Sequence, residues 1–263
     1  MVGERRARWL GVEYAETSAH HRAVDEWFLT RIRPEPEDTV VDLGCGSGEF
    51  TAVLAESVPR GRVIGVDEDP SMLAAADRYS APNLEFVRAA ATEFDRQLEP
   101  GVADLVVSRS MLHWLAVADY PAVFGAVYRT LRPGGWFHSE SGGAGNMSGL
   151  MALLERIAVA NGLRPPRPFP DAGTVFDMLR TTGFDIPADG VRTVAQLRPF
   201  TRAQLADMLR TTASISLTRQ ADAADAHRLV DELVAATDEL LRPDGTYDQT
   251  FVRLEILVRR PSD

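Results

Sequence analysis

The chain has no lysine. All 28 basic residues are arginine, set against 38 aspartates and glutamates, for a formal charge of −10 over 263 residues. The missing lysine removes Schiff-base chemistry and the phosphate-gripping lysine of P-loop enzymes. Cysteine occurs once, as Cys45, so an internal disulfide and a cysteine-rich metal site are both excluded, and no metal is expected. No run approaches the ~18 consecutive apolar residues of a membrane span. The first ten residues, with Glu4, Arg5, Arg6 and Arg8, contain no apolar signal region. A cytoplasmic protein with no membrane partner is therefore expected. The acidic excess repels phosphate backbones and no basic run offsets it, so nucleic acid is not an expected partner. Arginine without lysine, together with abundant alanine, is the usage of a GC-rich genome, and a bacterial source is expected.

What is present is an ordinary globular composition, 45% apolar and 25% charged. From Thr39 to Glu140 short apolar runs alternate with helical patterns. Strands are expected at Thr39–Leu43, Arg62–Val66, Leu84–Val87, Asp104–Ser108 and Trp136–Glu140. Helices fall at Glu49–Ser57, from Pro70, and between Asp119 and Leu131. Such alternation means a doubly wound α/β fold with a parallel sheet. The segment Arg132-Pro-Gly-Gly135 reads as a turn. Further on, helices are expected at Met151–Asn161, Gly173–Thr182 and Ala221–Leu241, with strands near Val191–Leu197 and Gln249–Val258. Thr201 with Gln204 forms a capping box opening a helix to about Thr212. An amphipathic helix over Val12–Ile32 carries Val24, Phe28 and Ile32 on one face, with His20 in the same row.

The chemistry concentrates in Val40-Val-Asp-Leu-Gly-Cys-Gly-Ser-Gly48. Glycines at 44, 46 and 48 let the backbone turn tightly and approach a ligand, and the following helix presents free N–H groups. Asp67 stands about 20 residues on, at the tip of the second strand, where a carboxylate can accept from ribose hydroxyls; its plainer, lesser reading is a cap on the helix that opens at Pro70. A dinucleotide would want glycine at the position held by Glu49, whose carboxylate opposes a pyrophosphate. A nucleoside without phosphate meets no such objection, and S-adenosylmethionine has a ribose, an adenine and an ammonium group for this geometry.

Taken together, Val41-Asp-Leu-Gly-Cys-Gly-Ser-Gly48, Gly65-Val-Asp67 with Ser71-Met72, and Leu131-Arg-Pro-Gly-Gly135 resemble the successive motifs of the class I S-adenosylmethionine-dependent methyltransferases. The resemblance covers roughly residues 36–140. Asp104-Leu-Val-Val-Ser-Arg-Ser-Met-Leu-His-Trp114 is similar to the strand-four segment of the trans-aconitate methyltransferase group, and Asp244–Arg260 is more loosely similar to that group's final hairpin strand. The resemblance implies a mostly parallel seven-stranded sheet with the last strand antiparallel. It implies S-adenosylmethionine as cofactor and S-adenosylhomocysteine as spent product. Gly44, Gly46 and Gly48 would line the methionine and ribose, Asp42 would lie near the ammonium group, and Asp67 would hold the ribose. Glu68 and Met72 would flank the adenine, and Ser108, with Arg109 and His113, would lie beside the sulfonium. Two departures stand out. The family's Gly-Asp-Ala after strand three is Ala89-Ala90-Ala91 here, so the adenine amine needs another acceptor, Glu93 or a carbonyl. Arg109 stands where the trans-aconitate group favours asparagine.

On the acceptor side the candidate catalytic residues are His113, Tyr14, Glu140 and His20, with His21 and Trp114 beside them. His113 and Glu140 follow strands four and five, at the sheet edge where open α/β folds bind ligands. Tyr14 and His20 lie on the N-terminal helix. Each has a plainer reading in packing or capping. Four segments are expected within one catalytic domain: an N-terminal helical cap over 1–35, the cofactor core over 36–141, a helical lid with remaining core elements over 142–245, and the last strand and tail over 246–263. The lid residues singled out are Met147, Met151, Phe169, Phe176 and Met208, and a lid implies a small organic acceptor. The expected activity is methyl transfer to such an acceptor, a carboxylate, phenol or activated carbon. The alternative is a binding protein of the same fold that templates a cyclisation or serves as a non-methylating subunit.

Overall fold

The computed structural model describes residues 28–262. Tyr14, His20, His21 and most of the expected Val12–Ile32 helix lie outside the described residues; within them, residues 28–32 are helical. The elements run β1 (Thr39–Leu43), α1 (Glu49–Ser57), β2 (Arg62–Asp67), α2 (Pro70–Ala76), β3 (Leu84–Arg88), β4 (Ala103–Arg109), α3 (Tyr120–Thr130) and β5 (Leu131–Gly142). There follow α4 (Ser148–Ala160), α5 (Ala172–Thr182), β6 (Val191–Phe200), α6 (Arg202–Met208), α7 (Ile215–Thr218), α8 (Ala223–Ala236) and β7 (Tyr247–Arg259). The sheet has seven strands in the order β3-β2-β1-β4-β5-β7-β6, and β7 is the antiparallel member. Strand order reverses direction at β1, which pairs in parallel with both β2 and β4. The crevice outside the carboxyl ends of β1 and β4 is the switch point where such sheets bind ligands.

The central strands are β-branched runs buried on both faces, which is why they are apolar throughout rather than alternating. Val41, Leu43 and Val106 enter one core with α3 and α5, while Val40, Leu105 and Val107 enter another with Phe28, Phe50 and Leu54. Helix α3 presents Tyr120, Val123, Phe124 and Val127 to the first core at helical spacing. Each fully buried side chain of this kind contributes about 1.5–3 kcal/mol of transfer free energy.

Two compact units emerge. The sheet unit holds the described residues 28–142, 170–193 and 254–262; the helical unit holds 143–169 and 194–253. The helical unit is built on Leu150, Leu154, Leu205, Leu217, Leu229 and Leu233, and Met147, Met151 and Met208 pack against that core. Phe176, on α5, belongs to the sheet unit and is exposed. Among the described residues no helix is long and apolar enough to cross a membrane.

Two local expectations are corrected. The turn expected at Arg132–Gly135 is a bulge inside one long strand: pairing jumps from Ala103↔Leu131 to Leu105↔Trp136. Gly135 allows it, because a Cβ there would sit 3.0 Å from the carbonyl oxygens of Arg132 and Asp104. The capping box at Thr201 and Gln204 forms, but its helix is regular only to Met208 before a wider turn over Leu209–Ala213. The Thr211 and Thr212 hydroxyls donate to the carbonyls of Asp207 and Met208, the back-bonding that bends helices.

Candidate functional site

The glycine turn is fastened to β2. Gly44 and Cys45 both donate their N–H groups to the Val66 carbonyl, at 2.7 and 3.0 Å, and Gly46 donates to Oδ2 of Asp67 at 2.9 Å. All three glycines have left-handed φ, 78° at Gly44, 55° at Gly46 and 81° at Gly48, which excludes most side chains. Their surroundings differ. A Cβ on Gly44 would strike Met111 at 2.2 Å, and one on Gly48 would meet Ala76 and Phe86 at 2.9 Å. At Gly46 nothing among the described residues lies within 4 Å. Two of the glycines therefore admit neighbouring protein, and the middle one faces open space where a ligand can approach the backbone.

Asp67 sits at the edge of that space. Its Oδ1 accepts from the Asp69 N–H at 2.9 Å, and burial pushes its carboxyl above the usual range against those two backbone bonds. The capping role weighed for it belongs to Asp69, whose carboxylate accepts from the Ser71 N–H. Asp42, beneath the turn, is 2% exposed and accepts from Thr51 Oγ1 at 2.7 Å; burial, opposed by that bond and reinforced by Asp67, pushes it up to about 7. Cys45 is buried against Gly65, and burial beside two carboxylates keeps its thiol protonated. Glu49 opens α1 and pairs with Arg78 at 2.9 Å.

The remaining cofactor candidates fall around the same edge. Met72 is buried on α2 and Glu68 is exposed between β2 and α2. Ala90 and Ala91 are partly buried after β3, and Ala90 accepts from the Glu93 N–H. Glu93 itself is drawn to Arg96 at 2.7 Å. Ser108 is fully buried and donates to the Leu43 carbonyl at 2.9 Å, so it ties β4 to the end of β1. S-adenosylmethionine fits these residues on two observations, the open approach at Gly46 and the Asp42 and Asp67 carboxyls beside it, which suit a cationic ligand.

The acceptor candidates on β4 and β5 are brought together. Arg109 lies opposite Glu140 in the parallel register, and its guanidinium stacks 4.6 Å over the Phe50 ring. Phe50 meets Phe28 edge-on at 5.5 Å, and Phe28 stacks on His138 at 3.9 Å. His113, in the turn after β4, receives the Gly142 N–H on Nδ1 at 3.3 Å. In the neutral tautomer that accepts there, the ring's own N–H is on Nε2. Trp114 lies 5.0 Å from it, ring to ring. Phe50 and Thr51 were missed in the sequence; their one signal is their place on the helix directly after the glycine turn.

A family profile described as a methyltransferase domain matches residues 40–135. The chain is similar to the trans-aconitate 2-methyltransferase of Deinococcus radiodurans, 42% identical over 41% of this chain and 39% of that protein. It is similar to the same-named enzyme of an Enterobacter species, 30% identical over 68% of this chain and 69% of that protein. Across the first three curated relatives the match spans 39%, 48% and 43% of their own length, under half in each case. In fold it is similar to the YcgJ protein of Bacillus subtilis, TM-score 0.63 and 16% identity over 92% of this chain and all of that one.

Proposed function

Since this chain belongs to the class I S-adenosylmethionine-dependent methyltransferases, we propose that it transfers the cofactor's methyl group to a small organic acid at the carboxyl edge of β1, β4 and β5. The observation that carries the reading is the pairing of an open approach at Gly46 with the Asp67 carboxylate bonded to it. When bound, the cofactor supplies an electrophilic methyl on a good leaving group. What the chain must add is alignment and exclusion of water.

Asp67, already oriented by two backbone N–H groups, holds ribose hydroxyls with its remaining lone pairs. Met72 bounds the adenine, and a backbone carbonyl takes its amine in place of the absent aspartate at Ala90. Arg109 supplies a fixed positive charge at the end of β4 for a carboxylate acceptor, with Phe50 limiting its freedom. Glu140 beside it keeps that end from being a general anion sink. His113 donates through Nε2–H to the acceptor, and a carboxylate needs no base to react. The −10 charge supports a small-molecule acceptor over nucleic acid.

The relatives' name makes trans-aconitate the first acceptor to try. Purified protein with methyl-labelled cofactor should give a product heavier by one methylene. Cofactor bound without transfer to trans-aconitate or any other metabolite acid would overturn the activity.

A further inference from the structure

Three non-glycine residues among those described hold a positive φ: Arg33, Ser110 and Met147. Two of them flank helices, Arg33 after the helix over 28–32 and Met147 before α4. Ser110 instead ends a strand. Its φ is 54°, directly after β4, at the carboxyl edge where the acceptor candidates gather. A serine there is strained, because its Cβ crowds the backbone in the left-handed region.

Both flanks of Ser110 hold it in that conformation. Its N–H donates to the Glu140 carbonyl at 2.7 Å, and Arg109 before it is paired with Glu140 in the β4–β5 register. After it, Met111 occupies the place a Cβ on Gly44 would take, Leu112 is fully buried, and His113 receives the Gly142 N–H. The two neighbours of Ser110 part to opposite faces of the sheet. The Arg109 guanidinium lies over Phe50, which shares a core with Leu54 and Val107, whereas Met111 packs on the core of Val106 and Phe124. In an unbroken strand residues 109 and 111 would share a face. The left-handed residue between them is what separates them.

Resting on the acid-acceptor reading above, we propose that Ser110 is a positioning residue for Arg109. Its left-handed backbone, not its hydroxyl, keeps the guanidinium on the Phe50 ring, where it meets an acceptor carboxylate. An extended residue 110 would draw Met111 off Gly44 and let Arg109 leave the ring. Strain that persists because its surroundings impose it is a mark of functional geometry.

The test is steady-state kinetics of the full chain at saturating S-adenosylmethionine, with the acid that takes up label in the assay above, trans-aconitate first. Ser110→Thr keeps the hydroxyl but resists left-handed φ through its β-branch; Ser110→Gly loses the hydroxyl and accepts that φ freely. Ser110→Thr should raise the acceptor KM about three- to tenfold with kcat within about twofold, since only uniform binding is lost. Ser110→Gly should hold KM within about twofold of wild type. In an Arg109→Gln background, itself raised in KM, Ser110→Thr should add no more than about twofold, because both act through one guanidinium. Thermal melting checks that each variant is folded. A wild-type KM in Ser110→Thr, an effect of Ser110→Thr equal in both backgrounds, or a larger loss in Ser110→Gly than in Ser110→Thr overturns the proposal while leaving the acid-acceptor reading intact. Wild type that labels no acid overturns that reading and this proposal with it.

Discussion

Gly46 donates its main-chain N–H to Oδ2 of Asp67 at 2.9 Å, so the middle of the glycine turn is fastened to the tip of the second strand. Of the three glycines in the turn, it is also the one whose missing Cβ would meet no described residue within 4 Å. A preorganised carboxylate and an unobstructed backbone thus belong to one hydrogen-bonded pair. Preorganisation of this kind lowers the ordering cost of binding.

Substitutions in the turn should separate packing from binding. Gly44→Ala forces a Cβ onto Met111 as well as straining φ, so it should destabilise by about 2–4 kcal/mol in urea unfolding. Gly46→Ala meets no neighbour among the described residues and should cost only about 1–2 kcal/mol from its left-handed backbone. Its loss should appear instead as cofactor affinity weakened at least about tenfold. Equal stability losses at the two positions would contradict the distinction.

Ser108→Ala is expected to act on stability. Its hydroxyl donates to the Leu43 carbonyl in a fully buried position, so removal should cost about 1–3 kcal/mol. Cofactor affinity should change by less than about threefold, measured on the folded variant. A large affinity loss with unchanged stability would return Ser108 to the ligand's first neighbours.

His113 is expected to donate, and two isosteres test it. Gln reproduces a donor near Nε2, and Asn reproduces an acceptor near Nδ1 for the Gly142 N–H. His113→Gln should keep kcat/KM within about tenfold, while His113→Asn and His113→Ala should fall about 10- to 100-fold. A base would instead lose activity in all three variants and give wild type a pH-rate limb that none of them shares.

Stability against pH should show two opposing contributions. His138 is 1% exposed with neither ring nitrogen partnered among the described residues, and burial, with Arg31 and Arg192 nearby, lowers it to about 3. The unfolded chain binds that proton between about pH 6.5 and 3, so this contribution is lost as pH falls through the window. His138→Leu should remove the loss, visible as a flatter unfolding free energy from pH 6.5 to 4. Asp42 runs the other way: its folded pKa of about 7 lies above the ordinary 3.8, so stability drops as pH rises between them. Asp42→Asn should therefore gain on wild type with rising pH, by a few kcal/mol at most at pH 8.

How much of this was readable in the sequence follows from the range of each interaction. The strands β1 to β4 were legible because continuous β-branched runs bounded by glycine and aspartate have few other solutions. The turn and Asp67 were legible because they sit at the ends of those runs. The bulge in β5 was hidden, since Arg-Pro-Gly-Gly is turn chemistry until a neighbouring strand supplies pairing. The Phe28–His138 stack, the Arg109–Phe50 stack and the Gly142 bond to His113 depend on sheet register between distant residues. Local pattern carries no information about register of that kind.

The account stands or falls on the grip between Asp67 and a nucleoside. Titrating S-adenosylmethionine into wild type and Asp67→Ala, with folding checked by thermal melting, measures it directly. The account predicts one site in wild type and an affinity lower by about 10- to 100-fold or more in the variant. Wild type that does not bind, or a folded variant that binds as tightly, would contradict it.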